Sequence, residues 1–311
     1  MEHKSLGRSG LRVSVAGLGC NNFGQRCDQA QTRAVVAKAL DLGVTLFDTA
    51  DVYGGGGVSE EYLGKALENR RADVIVATKF GMPMGEGNLK RGGSRRWVMQ
   101  AAENSLRRLG TDYIDLYQIN FPDAGTPIEE TLRALDDLVR QGKVRYLGCS
   151  NFAGWQVVEA AWTARSASLS PFVSAQNFYN LLERNVEREL VPACNAYGLG
   201  VLPYFPLASG LLTGKYRRGE PAPEGTRLSA PRFGKSALTD KNFDKLDKLA
   251  GFAADAGHSL LELAIGWLAS QSHVSSVIAG ATKPEQVEQN VRAAELKLTP
   301  AELAKVNEVA A

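Results

Sequence analysis

From Val15 onward the chain repeats one rhythm eight times: a short apolar run, a polar loop, then an amphipathic helical stretch of about 10–15 residues. The apolar runs fall at Val15–Leu18, Thr45–Asp48, Asp73–Thr78, Ile114–Ile119, Val144–Gly148, Phe172–Gln176, Gly200–Tyr204 and Ser276–Ala279. The spacing predicts helices over Gln29–Leu42, Ser59–Asn69, Ser94–Leu109, Ile128–Gln141, Ala153–Ala167, Val186–Tyr197, Asp240–Ala256 with Leu260–Ser270, and Pro284–Leu296. Ser59 and Ser94 are placed to cap orphan amides, and Pro284 suits a first turn. Strands that alternate with helices in this way favour a closed parallel (β/α)8 TIM barrel, with a doubly wound open sheet as the alternative. Ahead of the first unit, Ser5-Leu6 and Leu11-Arg12-Val13 flank a Gly-Arg-Ser-Gly turn, which predicts an N-terminal β-hairpin acting as a lid or plug.

The 311 residues, 44% of them hydrophobic and 23% charged, suffice for one barrel domain spanning 1–311. A formal net charge of +2 is too small for a nucleic-acid footprint. The longest apolar candidate, His258–Ala281, is interrupted by Glu262, Ser270, Gln271 and Ser272, so no membrane span is expected. The N-terminal residues carry no apolar core followed by a cleavage site, which makes the cytoplasm the expected address. The four cysteines have no CxxC spacing and the three histidines are scattered, so no metal site is expected and the cysteines read as ordinary thiols of a reducing compartment. No histidine follows a strand-like run with a loop beyond it, so acid chemistry is not expected to rest on histidine.

Three strand-like runs instead end in polar residues that are costly to bury without a purpose: Asp48, Lys79 and Asn120, with Tyr53 just past the first. In a barrel, residues at strand C-termini share one mouth, so these four can meet. A lysine ammonium beside a tyrosine stabilises the phenolate and is expected to bring the hydroxyl toward a usable proton donor, with Asp48 holding the ammonium. No side chain supplies hydride, so a hydride-donating partner is required. Each residue also has a structural alternative: Asp48 as a turn cap, Tyr53 as a loop anchor, Lys79 as a solvated strand end, Asn120 as a backbone partner before Pro122. Two long loops, 80–93 and 206–239, the latter with Pro221, Pro223 and Pro231, follow strands on the same rim and read as covers for a cofactor or substrate. Trp97, Phe121 and Phe80 are candidate pocket walls.

The motifs Phe47-Asp-Thr-Ala-Asp-Val-Tyr-Gly54, Ser105-Leu-Arg-Arg-Leu-Gly-Thr-Asp-Tyr-Ile-Asp-Leu116, Gly148-Cys-Ser-Asn151, Pro206-Leu-Ala-Ser-Gly210 and Gly280-Ala-Thr-Lys-Pro-Glu-Gln286 occur in that order. From about Leu6 to Val309 the chain resembles the aldo-keto reductases. That resemblance implies a barrel binding NADP(H) in extended form and reducing a small-molecule carbonyl substrate, with Asp48, Tyr53 and Lys79 in their usual catalytic roles. It further implies Ser150, Asn151 and Gln176 around the nicotinamide carboxamide and Tyr204 stacked on the ring, with Cys20, Asn21 and Asp48 also near the nucleotide. Phe205, Pro206, Leu207, Ser209, Gly210, Lys215 and Arg227 would line the pyrophosphate. Gly280, Thr282, Lys283, Gln286, Gln289 and Asn290 would hold the adenosine end, Thr282 and Lys283 suiting a 2′-phosphate. The departure is Asn120, where most of the family has histidine: an amide can donate a hydrogen bond to a carbonyl oxygen but cannot carry a proton. The branch containing voltage-gated potassium channel β-subunits, which bind the nucleotide tightly and turn over slowly, resembles the chain here, with asparagine at this position. Neither Gly17-Leu-Gly-Cys-Asn-Asn22 nor Gly54-Gly-Gly-Gly57 completes a phosphate-loop motif.

Overall fold

A computed structural model describes residues 1–229, 234 and 237–310. Pro231 and its immediate neighbours in the predicted 206–239 loop lie outside the described residues. Among the described residues ten strands form: β1 His3–Ser5, β2 Arg12–Ser14, β3 Ala16–Gly19, β4 Leu46–Asp48, β5 Ile75–Phe80, β6 Ile114–Ile119, β7 Val144–Ser150, β8 Phe172–Phe178, β9 Gly200–Tyr204 and β10 Val277–Gly280. β3 to β10 close into a parallel barrel in chain order, with β10 returning to β3, so the open-sheet alternative is excluded.

β1 and β2 form the expected antiparallel hairpin, pairing Ser5 with Arg12. It is a plug. Leu6 and Val13 are buried against Leu46, Ala77, Leu116, Leu202 and Ile278, the apolar inward residues of five barrel strands. The plug is tied on by the Arg8 amide donating to Gly198 O at 2.9 Å and by the Arg8 guanidinium donating to Ala196 O at 2.7 Å. Gly7 makes this approach possible: its φ is +57°, and a Cβ there would lie 2.7 Å from Gly200 N and 2.8 Å from Val173 O.

The outer helices follow from their periodicity. In helix Arg95–Leu109, Trp97, Val98, Ala101, Ala102, Ser105, Leu106 and Leu109 face the sheet. Ser94 caps it by accepting from the Trp97 amide, and Gly110 ends it in the left-handed conformation. Pro284 opens helix Pro284–Ala294, as expected.

Several boundaries differ from the sequence reading. The helix expected from Ser59 starts at Val58 with no side-chain cap, because the Ser59 hydroxyl is buried and donates instead to Cys20 O at 2.8 Å. The stretch 186–197 divides into a 3-10 turn, Asn185–Glu187, and helix Leu190–Tyr197. An unforeseen helix, Pro300–Ala310, packs on helix Asp240–Asp255. Its signal was present: Thr299 and Glu302 form a reciprocal capping box, the Thr299 amide donating to Glu302 Oε2 at 2.7 Å. No helix of the described residues is long and apolar enough to cross a membrane.

Replacing Gly7 with alanine forces a Cβ into backbone atoms and strains a left-handed residue. Urea titration of Gly7→Ala is expected to show a loss of about 1–3 kcal/mol of unfolding free energy, whereas Gly55→Ala, whose Cβ meets nothing within 4 Å, loses only its conformational share.

Candidate functional site at the barrel mouth

β4 delivers Asp48 and β5 delivers Lys79 to the interior, Lys79 standing two residues beyond Ala77, the aligned partner of Asp48. β5 runs on past the expected boundary to Phe80, so Lys79 lies within the strand, not beyond it. Its ammonium, 1% exposed, donates to both Asp48 oxygens at 2.7 and 2.8 Å and to Thr49 O at 2.7 Å. These acceptors fix the position of the ammonium. Burial works against the Lys79 charge, but Asp48 chiefly, with Tyr53, outweighs it and leaves the ammonium's pKa above the ordinary lysine value.

Asp48 is further held by the Gln176 amide at 2.8 Å and the Gln118 amide at 3.4 Å, both donating to Oδ1. Gln118 was not anticipated. Its signal was its register, since it stands opposite Lys79 on the neighbouring strand, inside the barrel.

Tyr53 projects from the single turn after β4, with the Lys79 ammonium 5.2 Å from its ring centroid. The expected net lowering of its pKa does not occur. Lys79 pulls the value down by charge and hydrogen bonding, yet burial is the larger effect and the hydroxyl sits above the ordinary tyrosine range. Such a group keeps its proton at neutral pH, as a donor must.

Asn120 follows β6, buried, its backbone amide donating to Phe80 O at 2.8 Å. Among the described residues none hydrogen-bonds its side-chain amide, which faces the cleft. Its carbonyl accepts from Asn151 Nδ2 at 2.8 Å, and Asn151 Oδ1 in turn accepts from the Tyr204 hydroxyl at 2.7 Å. Asn151 holds this bridge at φ +60°. The Tyr204 ring lies nearly parallel to Phe178, 5.8 Å between centroids.

Asp48, Tyr53, Lys79, Asn120, Asn151, Gln176 and Tyr204 line a cleft of about 1350 Å3. Of the residues for which the resemblance implied a cofactor role, Asn21, Ser150, Phe205, Pro206, Leu207, Ser209, Gly210, Lys215, Arg227, Gly280, Thr282, Gln286, Gln289 and Asn290 also line it. Two expected residues do not. Cys20 is buried with its thiol turned to Leu18 O at 3.6 Å, and exposed Lys283 lies beyond the lining at the head of its helix. Asn22, Arg26 and Arg292 line the cleft without having been foreseen. Arg227 donates to Asn22 Oδ1 at 3.2 Å and Arg26 bonds the Gly225 carbonyl, tying the segment after β9 across the cleft. Of the candidate walls, Phe121 lines the cleft, whereas Trp97 and Phe80 are packed in the core.

The aldo/keto reductase family model matches residues 16–311. Over 319 residues the chain is 39% identical to a protein of Oryza sativa subsp. japonica described as a probable voltage-gated potassium channel subunit beta, covering 99% of this chain and 96% of that protein. It is 36% identical over 319 residues to YrpG, an uncharacterized oxidoreductase of Bacillus subtilis (strain 168), covering 99% of this chain and 96% of that one. It is also 35% identical over 323 residues to the L-glyceraldehyde 3-phosphate reductase of Escherichia coli (strain K12), covering 99% of this chain and 92% of that enzyme. The chain belongs to the aldo/keto reductase family, and its relatives support a general oxidoreductase role.

Removing the ammonium strands a buried carboxylate. Lys79→Met is expected to cost about 3–5 kcal/mol at pH 7 by urea titration. Because the folded pKa of Lys79 is raised, this contribution is fully present below the unfolded lysine value of about 10.4 and is lost only as pH rises through the folded one. The gap between wild type and variant should therefore stay constant from pH 7 to about 9.

Proposed function

We propose that the protein is an NADPH-dependent reductase of aldehydes or ketones, in which Tyr53 donates the proton, Lys79 and Asp48 hold and tune it, and Asn120 polarises the substrate carbonyl. The observation that carries this reading is the convergence of a buried tyrosine, a fixed ammonium and an unengaged amide on the lining of one cleft.

The residues of that cleft fit an extended dinucleotide. Phe205, Ala208 and Ser209 hold φ of +53°, +46° and +59°, followed by Gly210 at +96°. A non-glycine residue in this region costs about 1–3 kcal/mol, and such strain concentrates at ligand clamps. Gly210 keeps the Lys215 ammonium close to the chain: a Cβ there would lie 3.3 Å from Nζ. The missing side chain of Gly280 similarly opens a floor beside Asn22 Nδ2 and Asn21 Oδ1. Phe205 to Gly210 with Lys215 and Arg227 would take the pyrophosphate. Gly280, Thr282, Gln286, Gln289 and Asn290 would take the adenosine, and Arg292 with Lys283 at the rim would meet a 2′-phosphate, favouring NADP(H) over NAD(H). Gln176 gives its amide N–H to Asp48 and so has its oxygen left to accept from a carboxamide, alongside Ser150 and Asn151. When bound, the dihydronicotinamide supplies the hydride.

The remaining work falls to the chain. Asn120 donates to the carbonyl oxygen and stabilises the negative charge that grows there. Tyr53 delivers its proton to that oxygen, and Lys79, held by Asp48 and Thr49, stabilises the phenolate left behind. Asn120 takes no part in the proton count, so the titrating acid is Tyr53.

A second reading, a nucleotide-holding regulatory subunit with slow turnover, draws on the similarity to the rice protein described as a channel subunit and on Asn120. Single-turnover oxidation of bound NADPH by a panel of aldehydes separates the two. The reductase reading expects transfer that falls about 100- to 10,000-fold in Tyr53→Phe with little change in nucleotide affinity. Transfer unaffected by that substitution, or none with any reactive aldehyde, sinks it. Asn120→His is expected to raise the rate or reshape its pH profile while leaving NADPH affinity nearly unchanged. A large loss of NADPH binding would instead assign Asn120 to the cofactor.

A further inference from the structure

Behind the Asp48, Tyr53, Lys79 and Asn120 group, between the barrel wall and helices Val58–Leu67 and Arg95–Leu109, lie two buried carboxyl groups, of which one is paired with a guanidinium. Glu60, with no exposure, accepts from the Thr78 hydroxyl at 2.6 Å and from Arg108 Nε at 2.6 Å. Asp51 is 1% exposed, and among the described residues neither of its carboxyl oxygens has a side-chain hydrogen-bond partner. The Tyr117 hydroxyl, on β6 and equally buried, also lacks one among them.

Two carboxylates and one cation in a space closed to water do not both stay charged at neutral pH without cost. Glu60 holds both donors, the Thr78 hydroxyl and the Arg108 guanidinium, which leaves Asp51 without either and as the group that keeps its proton. The groups that face Asp51 are Glu60 from helix Val58–Leu67, Arg108 from helix Arg95–Leu109, Lys79 from β5 and Tyr117 from β6. Burial first, and then the Glu60 charge, push its carboxyl up to about 8, against the weaker pull of Arg108, the Val52 backbone amide and Lys79.

Asp51 also sits where the chain delivers Tyr53. Its backbone amide donates to Lys79 O at 3.0 Å, and the Tyr53 amide donates to Ala50 O at 3.1 Å. The next four residues, Gly54 to Gly57, all have positive φ, and a Cβ on Gly55 or Gly56 would meet nothing. Gly54 packs closely on Phe23 O and Val58, and Gly57 on Arg108, so Gly55 and Gly56 are the open part of the turn, and buried Asp51 anchors its near end beside β5.

We propose that Asp51 is a positioning residue, a buried neutral carboxylic acid that holds the Tyr53 turn against β5 and releases it on losing its proton. The proposal rests on the reading of Tyr53 as the proton donor. An ionised Asp51 facing Glu60 is driven toward water, and the glycine run yields.

The test is D51N, which replaces the acid by its neutral isostere, compared with wild type in aldehyde reduction and in thermal unfolding across pH. Wild-type kcat is expected to fall through pH about 8, losing about tenfold per pH unit beyond it, while in D51N the fall moves up by at least about one pH unit. The folded carboxyl lies above its unfolded value of about 3.9, so wild type loses stability steadily as pH rises from there to the folded value. The Tm of D51N relative to wild type should accordingly climb through that window and level off above it. Coincident basic limbs with a pH-independent Tm difference overturn the proposal. If wild type transfers no hydride at any pH, the functional reading fails and the Tm comparison alone decides the protonation of Asp51. Should D51N not fold, infrared titration of wild type decides: a protonated carboxyl band present at neutral pH and lost in base supports the proposal, and its absence at neutral pH contradicts it.

Discussion

An ammonium ion inside a barrel needs a counter-charge and three acceptors, and Lys79 finds all of them in the Asp48 carboxylate and the Thr49 carbonyl. Desolvating each ion costs several kcal/mol, repaid only when geometry is close and every donor is placed. The two interior glutamines, Gln176 and Gln118, complete that geometry by donating to the same carboxylate oxygen. The pair also fixes the register of function, because β4 and β5 must align for the charges to meet, and the Tyr53 turn hangs from their ends. The hairpin plug closes the other end of the barrel with Leu6 and Val13, so the polar mouth faces only the cleft.

The barrel wall separates two charge systems with different chemistry. On the inner face, Lys79 and Asp48 balance one another, and Tyr53 keeps its proton because burial outweighs the neighbouring ammonium. On the outer face, Thr78 and Tyr117 point toward the helices, where Glu60 and Arg108 pair and Asp51 is left over. The alternation of a β-strand is what separates them, since Thr78 and Lys79 are successive residues on opposite sides of one sheet. In the proposed reductase Asn120 would add a donor without a charge, polarising the oxygen without another titration.

Much of this was legible in the chain because barrel periodicity and strand-end polarity are local signals. Asp48, Lys79 and Asn120 each close an apolar run, and the eightfold rhythm requires those ends to converge. What escaped notice depended on three dimensions. Gln118 is one residue among several polar ones in Tyr113-Ile-Asp-Leu-Tyr-Gln-Ile-Asn120, and only its alignment with Lys79 gives it a role. Cys20 stood beside the expected nucleotide by sequence, yet its thiol turns inward. The net rise of the Tyr53 pKa follows from how deeply the hydroxyl is packed, which motif spacing does not encode. The C-terminal helix was missed even though Thr299 and Glu302 carry its capping signal, since its packing partner lies many residues earlier.

The central claim is that one cleft brings a nicotinamide to the Asp48, Tyr53, Lys79 and Asn120 mouth. A crystal structure of the protein with NADP+ tests it most directly. The account predicts the nicotinamide ring on Tyr204 with its carboxamide at the Gln176 oxygen, the pyrophosphate against Ser209 to Lys215, and the adenosine between Thr282 and Asn290. A nucleotide bound with its nicotinamide outside that mouth, or seated on another face of the barrel, would contradict it.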